Sequence, residues 1–222
     1  MPGGLRLAAA LLALVAASAA AASGSSLSKP STERSRSTKV ALASLAALSV
    51  RRPAPMVGYS RERFGPPWRD VDHNGCDTRN DILRRDLRRV VLKQGSRCTV
   101  ARGLLPDPYT RTRISFVRGV RTSGAVQIDH IVALADAWRT GAARWGSGKR
   151  LRYANDPVVL LAVDGPTNEA KGDDDASEWL PPNHGYDCAY VKRQILIKRR
   201  YGLWVTPSER RALRDVLVST CR

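Results

Sequence analysis

Acidic residues are scarce in this 222-residue chain: 20 Asp and Glu stand against 37 Lys and Arg, a formal net charge of +17. Such an imbalance attracts polyanions by counterion release, nucleic acid first and anionic envelope polymers or membranes second. No C-x-x-C pair occurs among the four cysteines, which argues against a structural zinc site. After the first two dozen residues no stretch is apolar enough to span a bilayer, so stable membrane insertion is not expected. No internal repeat and no base-reading module is evident. Histidine is rarer still, with three in the chain, so the setting of each carries weight.

The opening "MPGGLRLAAALLALVAASAAAASGSS" has one Arg, a short Leu/Ala run and A-x-A sites, the layout of a secretory signal peptide ending near Ala22. Residues 23–50 follow as a structureless polar tether, "SGSSLSKPSTERSRST", and a short helix, "KVALASLAALSV". Residues 51–222 form the expected domain, of a length that sustains one core. Four cysteines suit an oxidising, extracellular compartment. They allow three pairings, of which sequence proximity favours Cys76–Cys98 and Cys188–Cys221. The second has a geometric basis. Cys188 opens the helix-like "CAYVKRQILIKRRYG" and Cys221 closes "PSERRALRDVLVSTC", so an antiparallel helical pair brings them together.

Periodicity predicts a helix from Asp77 or Thr78 through "TRNDILRRDL", then a hairpin in "RVVLKQGSRCTVARG" that returns Cys98 toward Cys76. "RISFVRGV", "AVQIDHIV" and "PVVLLAV" read as strands, and "ALADAWRTGAARW" as a helix broken at Gly141. "TNEAKG" opens a helix with Thr167 as N-cap, and Thr206, Pro207 and Glu209 form a capping box. The fold class is α+β, a single domain with a small antiparallel sheet and a C-terminal helical pair, stapled by disulfides.

Chemistry concentrates at "VQIDHIVALADAW". Neighbouring strand residues point to opposite faces, and share one site only where the strand stops. There Asp129 could hold a divalent cation while His130 takes a proton from water. Phosphodiester cleavage needs that pairing of base and cation. On the helix after "PVVLLAV", Asn168 and Lys171 lie three apart and face one way, an amide oxygen for the metal and a cation for a phosphate.

The order D-H, apolar strand, N-x-x-K resembles the HNH, or ββα-metal, endonucleases. It is closest to the variant with an Asn in place of the last His, found in the C-terminal domain of GmrSD-type restriction enzymes and in small secreted proteins. "GYSRERFG", "NGCDTRNDILRRDL", "DPYT", "EWLPPN" and "CAYVKRQ" extend the resemblance over about three-quarters of the chain. It implies an HNH-like core with His130 as general base, Asp129 and Asn168 as ligands of one magnesium or manganese ion, and Lys171 against the scissile phosphate. The middle Asn of HNH sequences, which braces the first motif, is replaced by Val159 before Leu160. Asn155 is the nearest substitute. Arg79, in the shared "CDTRND", is a candidate phosphate contact.

The Asp173–Asp175 run with Glu178 reads as a solvated helix start rather than a second metal site, His73 and His184 as surface residues, and Trp138, Trp145, Trp179 and Trp204 as anchoring aromatics. The expected function is a secreted, monomeric, metal-dependent endonuclease of low specificity acting on DNA, or on RNA. No inhibitor partner is legible in one chain. The competing expectation is a non-catalytic exported cationic binding protein for nucleic acid or an anionic envelope polymer.

Overall fold

The computed structural model describes residue 1 and residues 30–221. Residues 2–29, with most of the expected leader and the start of the tether, lie outside that description. The helices are α1 (Pro30–Ala46), α2 (Thr78–Asp86), α3 (Leu134–Arg139), α4 (Ser147–Asn155), α5 (Gly165–Lys171), α6 (Asp187–Tyr201) and α7 (Pro207–Ser219). The strands are β1 (Arg88–Leu92), β2 (Val100–Pro106), β3 (Arg113–Val117), β4 (Val126–His130) and β5 (Leu160–Asp164). Strands β1, β2 and β3 form one antiparallel sheet in that order, and β4 pairs antiparallel with β5 in a second. The α+β expectation holds. No described helix is long and apolar enough to cross a membrane.

The β4–β5 ribbon divides two cores, which explains its near-continuous burial. Val126, Ile128, Leu160 and Ala162 face a core shared with Ile82 and Leu83 of α2 and Phe116 of β3. Leu161 and Val163 face a larger core built from α1, α3, α4, α6 and α7. Helix α5 packs back on both strands, completing a strand–strand–helix unit.

Several local expectations change. Helix α1 starts at Pro30, inside the stretch read as a structureless tether. Pro and Glu33 suit a first turn, and polar side chains tie the helix down. Thr38 Oγ1 donates to the Cys221 carbonyl at 2.8 Å, and Lys192 Nζ donates to Ser37 Oγ at 2.9 Å. Asp164, not Thr167, caps α5, accepting from the Thr167 backbone N–H at 2.9 Å. Helix α4 was not foreseen, because "SGKRLRYAN" carries few apolar residues; Tyr153, wholly buried, holds it down. Gly141 does break the helical run, at a φ of 142°, with Leu203 and Trp204 crowding the space a side chain would take.

Both cysteine pairings form, Cys76–Cys98 and Cys188–Cys221. The second clamps the start of α6 to the residue just past α7. Thr206 and Glu209 make the reciprocal capping box at α7.

Candidate active site

At the end of β4 the backbone sends Asp129 toward the larger core and His130 to the opposite side, yet both reach one cleft. That cleft, of about 730 Å³, is also lined by Asn168, Arg61, Arg79 and Trp68. His130 is half-buried and also borders a smaller apolar cavity behind it.

The His130 ring is oriented by the backbone. Its Nε2 lies 3.0 Å from the Ala154 carbonyl oxygen. A carbonyl only accepts, so Nε2 carries the proton and the Nδ1 lone pair is left as the base. Burial pushes the imidazole down to about 4, against the Ala154 hydrogen bond and the Asp129 charge, which raise it. The ring is therefore neutral at neutral pH, the form a base requires.

Asp129 is only 5% exposed, and both its oxygens are engaged. Lys171 Nζ donates to Oδ1 at 2.7 Å and to the His130 carbonyl at 2.9 Å, while the Tyr109 hydroxyl donates to Oδ2. Tyr109, Lys171 and Asp129 thus form one buried polar unit. Desolvation and the Asp129 charge hold Tyr109 well above its ordinary range, so it stays a hydrogen-bond donor.

Lys171 is a correction to its expected place. It is wholly buried, and its ammonium is spent on Asp129 and the strand end, so it does not present itself to a phosphate in the cleft. Asn155 is a second correction. It closes α4, and its Nδ2 donates within its own helix to the Leu151 carbonyl at 3.0 Å. The brace that a middle Asn would give is spread over other groups. Ile131 N–H donates to the Val159 carbonyl, the Tyr153 hydroxyl to the Val132 carbonyl, and Gln194 Nε2 to the Ile131 carbonyl. Val159 therefore contributes through its backbone carbonyl, while its side chain is packed in the larger core.

Asn168 is held on α5 by donating Nδ2 to Gln127 Oε1 at 2.8 Å, which leaves its Oδ1 for a ligand. Gln127 in turn donates to Glu169 Oε1 at 2.6 Å. Asp129 and Asn168 offer hard oxygen donors beside His130 on a cleft that Glu169 and Asp173 also line. Among the described residues no three His, Cys, Asp or Glu side chains form a metal cage. The acidic run disperses: Asp173 pairs with Arg139, and Asp175 accepts from Ser177 and Thr206. His184 is exposed and pairs with Asp187.

Arg61 and Arg79 line the cleft without any ion pair to a described acidic residue, and Arg79 rests on the Phe116 ring. Arg61, Tyr109 and Gln127 were not singled out from the sequence. Tyr109 sits in "DPYT" and Gln127 two residues before Asp129 on the same strand face, signals that could have marked both. The segment "DPYT" is structural as well. Asp107 Oδ1 accepts from the Asp164 N–H at the start of α5, and Asn183 of "EWLPPN" donates to the Pro108 carbonyl.

A family model described as GmrSD restriction endonucleases, C-terminal domain, matches residues 77–216. The chain belongs to that family. Its members are of nuclease type, and the match spans the cleft from Arg79 through Asp129 and His130 to Asn168. An Arthroderma benhamiae protein described as an uncharacterized secreted protein is 37% identical over 194 residues, covering 86% of this chain and 90% of that protein. Together with the two disulfides, that relative is consistent with an extracellular location. No solved structure matches.

Proposed function

We propose that this protein is an exported endonuclease that hydrolyses DNA phosphodiester bonds with little sequence preference, using one magnesium or manganese ion. The observation that carries the reading is the shared cleft: a neutral imidazole whose Nδ1 is left as acceptor, the oxygens of Asp129 and Asn168, and two guanidiniums that form no ion pair with a described acidic residue. The family membership supports the reaction class.

The residues fit a hydrated hard cation rather than a caged one. Each Asp129 oxygen carries one hydrogen bond and keeps lone-pair capacity, and Asn168 Oδ1 is uncommitted. Two protein oxygens with water completing the shell suit magnesium. When bound, the ion supplies charge stabilisation at the scissile phosphate and its leaving oxygen. His130 Nδ1 removes a proton from the attacking water, while Nε2–H stays on the Ala154 carbonyl and holds the ring in line. Lys171 and Tyr109 position Asp129. Arg61 and Arg79 seat the phosphate backbone, contacts that carry no sequence information. RNA would meet the same groups, since water attack needs no 2′-hydroxyl.

One feature favours the second reading, a non-catalytic exported cationic binding protein. Both Asp129 oxygens are engaged by Lys171 and Tyr109. Plasmid nicking over several divalent ions separates the readings. The nuclease reading expects cleavage lost with EDTA and with His130→Ala, binding kept, and Asn168→Ala partly restored by more metal. Equal cleavage by wild type, His130→Ala and Asn168→Ala would overturn the site. Binding with no cleavage in any ion would favour the binding protein.

A further inference from the structure

The apolar cavity behind His130 measures about 460 Å³, within the usual span of small-ligand pockets, roughly 300–1,000 Å³. Phe64, Pro66, Pro67, Trp68, Leu134 and Ala154 give it hydrocarbon and ring walls. Two charged side chains, Arg61 and Glu62, also line it. Arg61, Trp68, His130 and Leu134 line the cleft as well, so the two spaces meet at the His130 ring.

The loop that shapes this cavity is pinned at both ends. Arg150 of α4 donates to the Arg63 carbonyl at 2.8 Å. Gly65 then turns at a φ of 83°, where a side chain would strike Leu151, and two prolines follow. Trp68 takes a φ of 60°, a left-handed conformation that a bulky residue keeps only where its surroundings hold it. Thr78, the first residue of α2, holds it: its N–H donates to the Trp68 carbonyl at 3.2 Å and its hydroxyl to the Arg69 carbonyl. The ring so placed differs from the other four tryptophans. Trp138, Trp145 and Trp179 each pack on a neighbouring aromatic ring, and Trp204 has the Arg51 and Arg144 guanidiniums over its ring. Trp68 is half-buried against the smaller core, and among the described residues neither a ring nor a cation covers it.

We propose that the cavity receives an unpaired base, stacked on Trp68, from a strand whose phosphate lies in the cleft, which makes single-stranded DNA the preferred substrate. The inference rests on the proposed reading of the cleft as the phosphate site. A nucleotide suits the two spaces together. Its phosphate belongs with the Arg61 and Arg79 guanidiniums, whereas apolar walls and the Glu62 carboxylate turn an anion away from the cavity. A flat base gains there by leaving water and by stacking on the open indole. Inside such a pocket it cannot stay paired with a complementary strand. Stacking is tolerant of sequence, so the low sequence preference is kept.

The test is fluorescence anisotropy of the intact oxidised protein in EDTA with three probes of equal length. They are a mixed-sequence single-stranded oligodeoxynucleotide, its duplex, and the same strand made abasic at its central positions, which keeps every phosphate. Wild type should hold the natural strand about 5- to 150-fold more tightly than the abasic one, the ordinary worth of one stacked base, and more tightly than the duplex at the same salt. Trp68→Ala should lower the natural strand to the abasic affinity and leave the abasic affinity unchanged, while Trp68→Phe restores most of the difference. A merely structural Trp68 would weaken both strands alike. Equal affinity of wild type for natural and abasic strands would overturn the proposal whether or not Trp68→Ala folds. So would tighter binding of the duplex, or a natural-to-abasic difference that survives in folded Trp68→Ala. Binding in EDTA is read apart from turnover. Plasmid nicking without this discrimination keeps the nuclease reading and ends the base pocket, and discrimination without nicking in any ion does the reverse.

Discussion

Replacing Lys171 by Met tests the polar unit beneath the cleft. The side chain keeps its length and apolar stem but loses the ammonium that meets Asp129 at 2.7 Å and the His130 carbonyl at 2.9 Å. Asp129 would then stay 5% exposed with Tyr109 as its remaining donor. Removing one partner of a buried pair costs about 3–5 kcal/mol, because the other charge is left uncompensated. In a chain of this size each kcal/mol shifts the melting temperature by roughly 2–4 °C. The expected fall is therefore about 6–20 °C, measured by far-ultraviolet circular dichroism. Adding Asp129→Asn removes the stranded charge, so the double variant should regain a substantial part of the loss. A solvated, phosphate-contacting lysine behaves differently: its removal changes stability by no more than about 0.5 kcal/mol. A melting temperature for Lys171→Met within about 2 °C of wild type would refute the buried role.

Arg79→Ala, in a His130→Ala background that cannot cut, should weaken DNA binding evenly across sequences and lower the slope of log affinity against log salt by about one. An unchanged slope would remove Arg79 from the phosphate path. A pH effect is expected at Glu209, which lies with Asp136 around the buried Lys198. Burial is the main cause that raises Glu209 to about 7, with Asp136 adding and Lys198 opposing. A carboxyl raised in the folded state binds more protons there than in the unfolded chain, so its stabilisation is present below about pH 4.5 and is lost as pH rises through 7. Urea unfolding at pH 5 and pH 8 should show stability falling by no more than about 3 kcal/mol from this group. Glu209→Gln should flatten the profile, and an equal slope in that variant would exclude the assignment.

Much was legible in order alone because the relevant forces are local. The capping box at Thr206 and Glu209, the stop at Gly141, and the strand that ends in Asp129 and His130 follow from backbone geometry within a few residues. The Cys188–Cys221 pairing followed from the packing of two adjacent helices. Polar residues at element ends were harder to judge, since a sequence does not say which charge is buried against which. Lys171 looked like a surface cation and is a core counter-ion. Asn155 looked like a brace, while the bracing comes from Tyr153, Gln194 and the Val159 backbone. The polar first half of α1 looked unstructured because its anchors are hydrogen bonds to α6 and to the Cys221 backbone, more than 150 residues away.

By itself the sequence determined the strand–strand–helix order and the residue types available for chemistry, and favoured the two disulfide pairs that form, because turn, cap and periodicity are properties of neighbouring residues. Only the tertiary structure decided which of those residues reach the cleft. It turned the His130 ring by a carbonyl from α4, buried Lys171 against Asp129, and brought Arg61 and Asn168, more than a hundred positions apart in the chain, to the lining of one cleft. Protonation and charge compensation depend on that three-dimensional company, and no spacing in the chain encodes it.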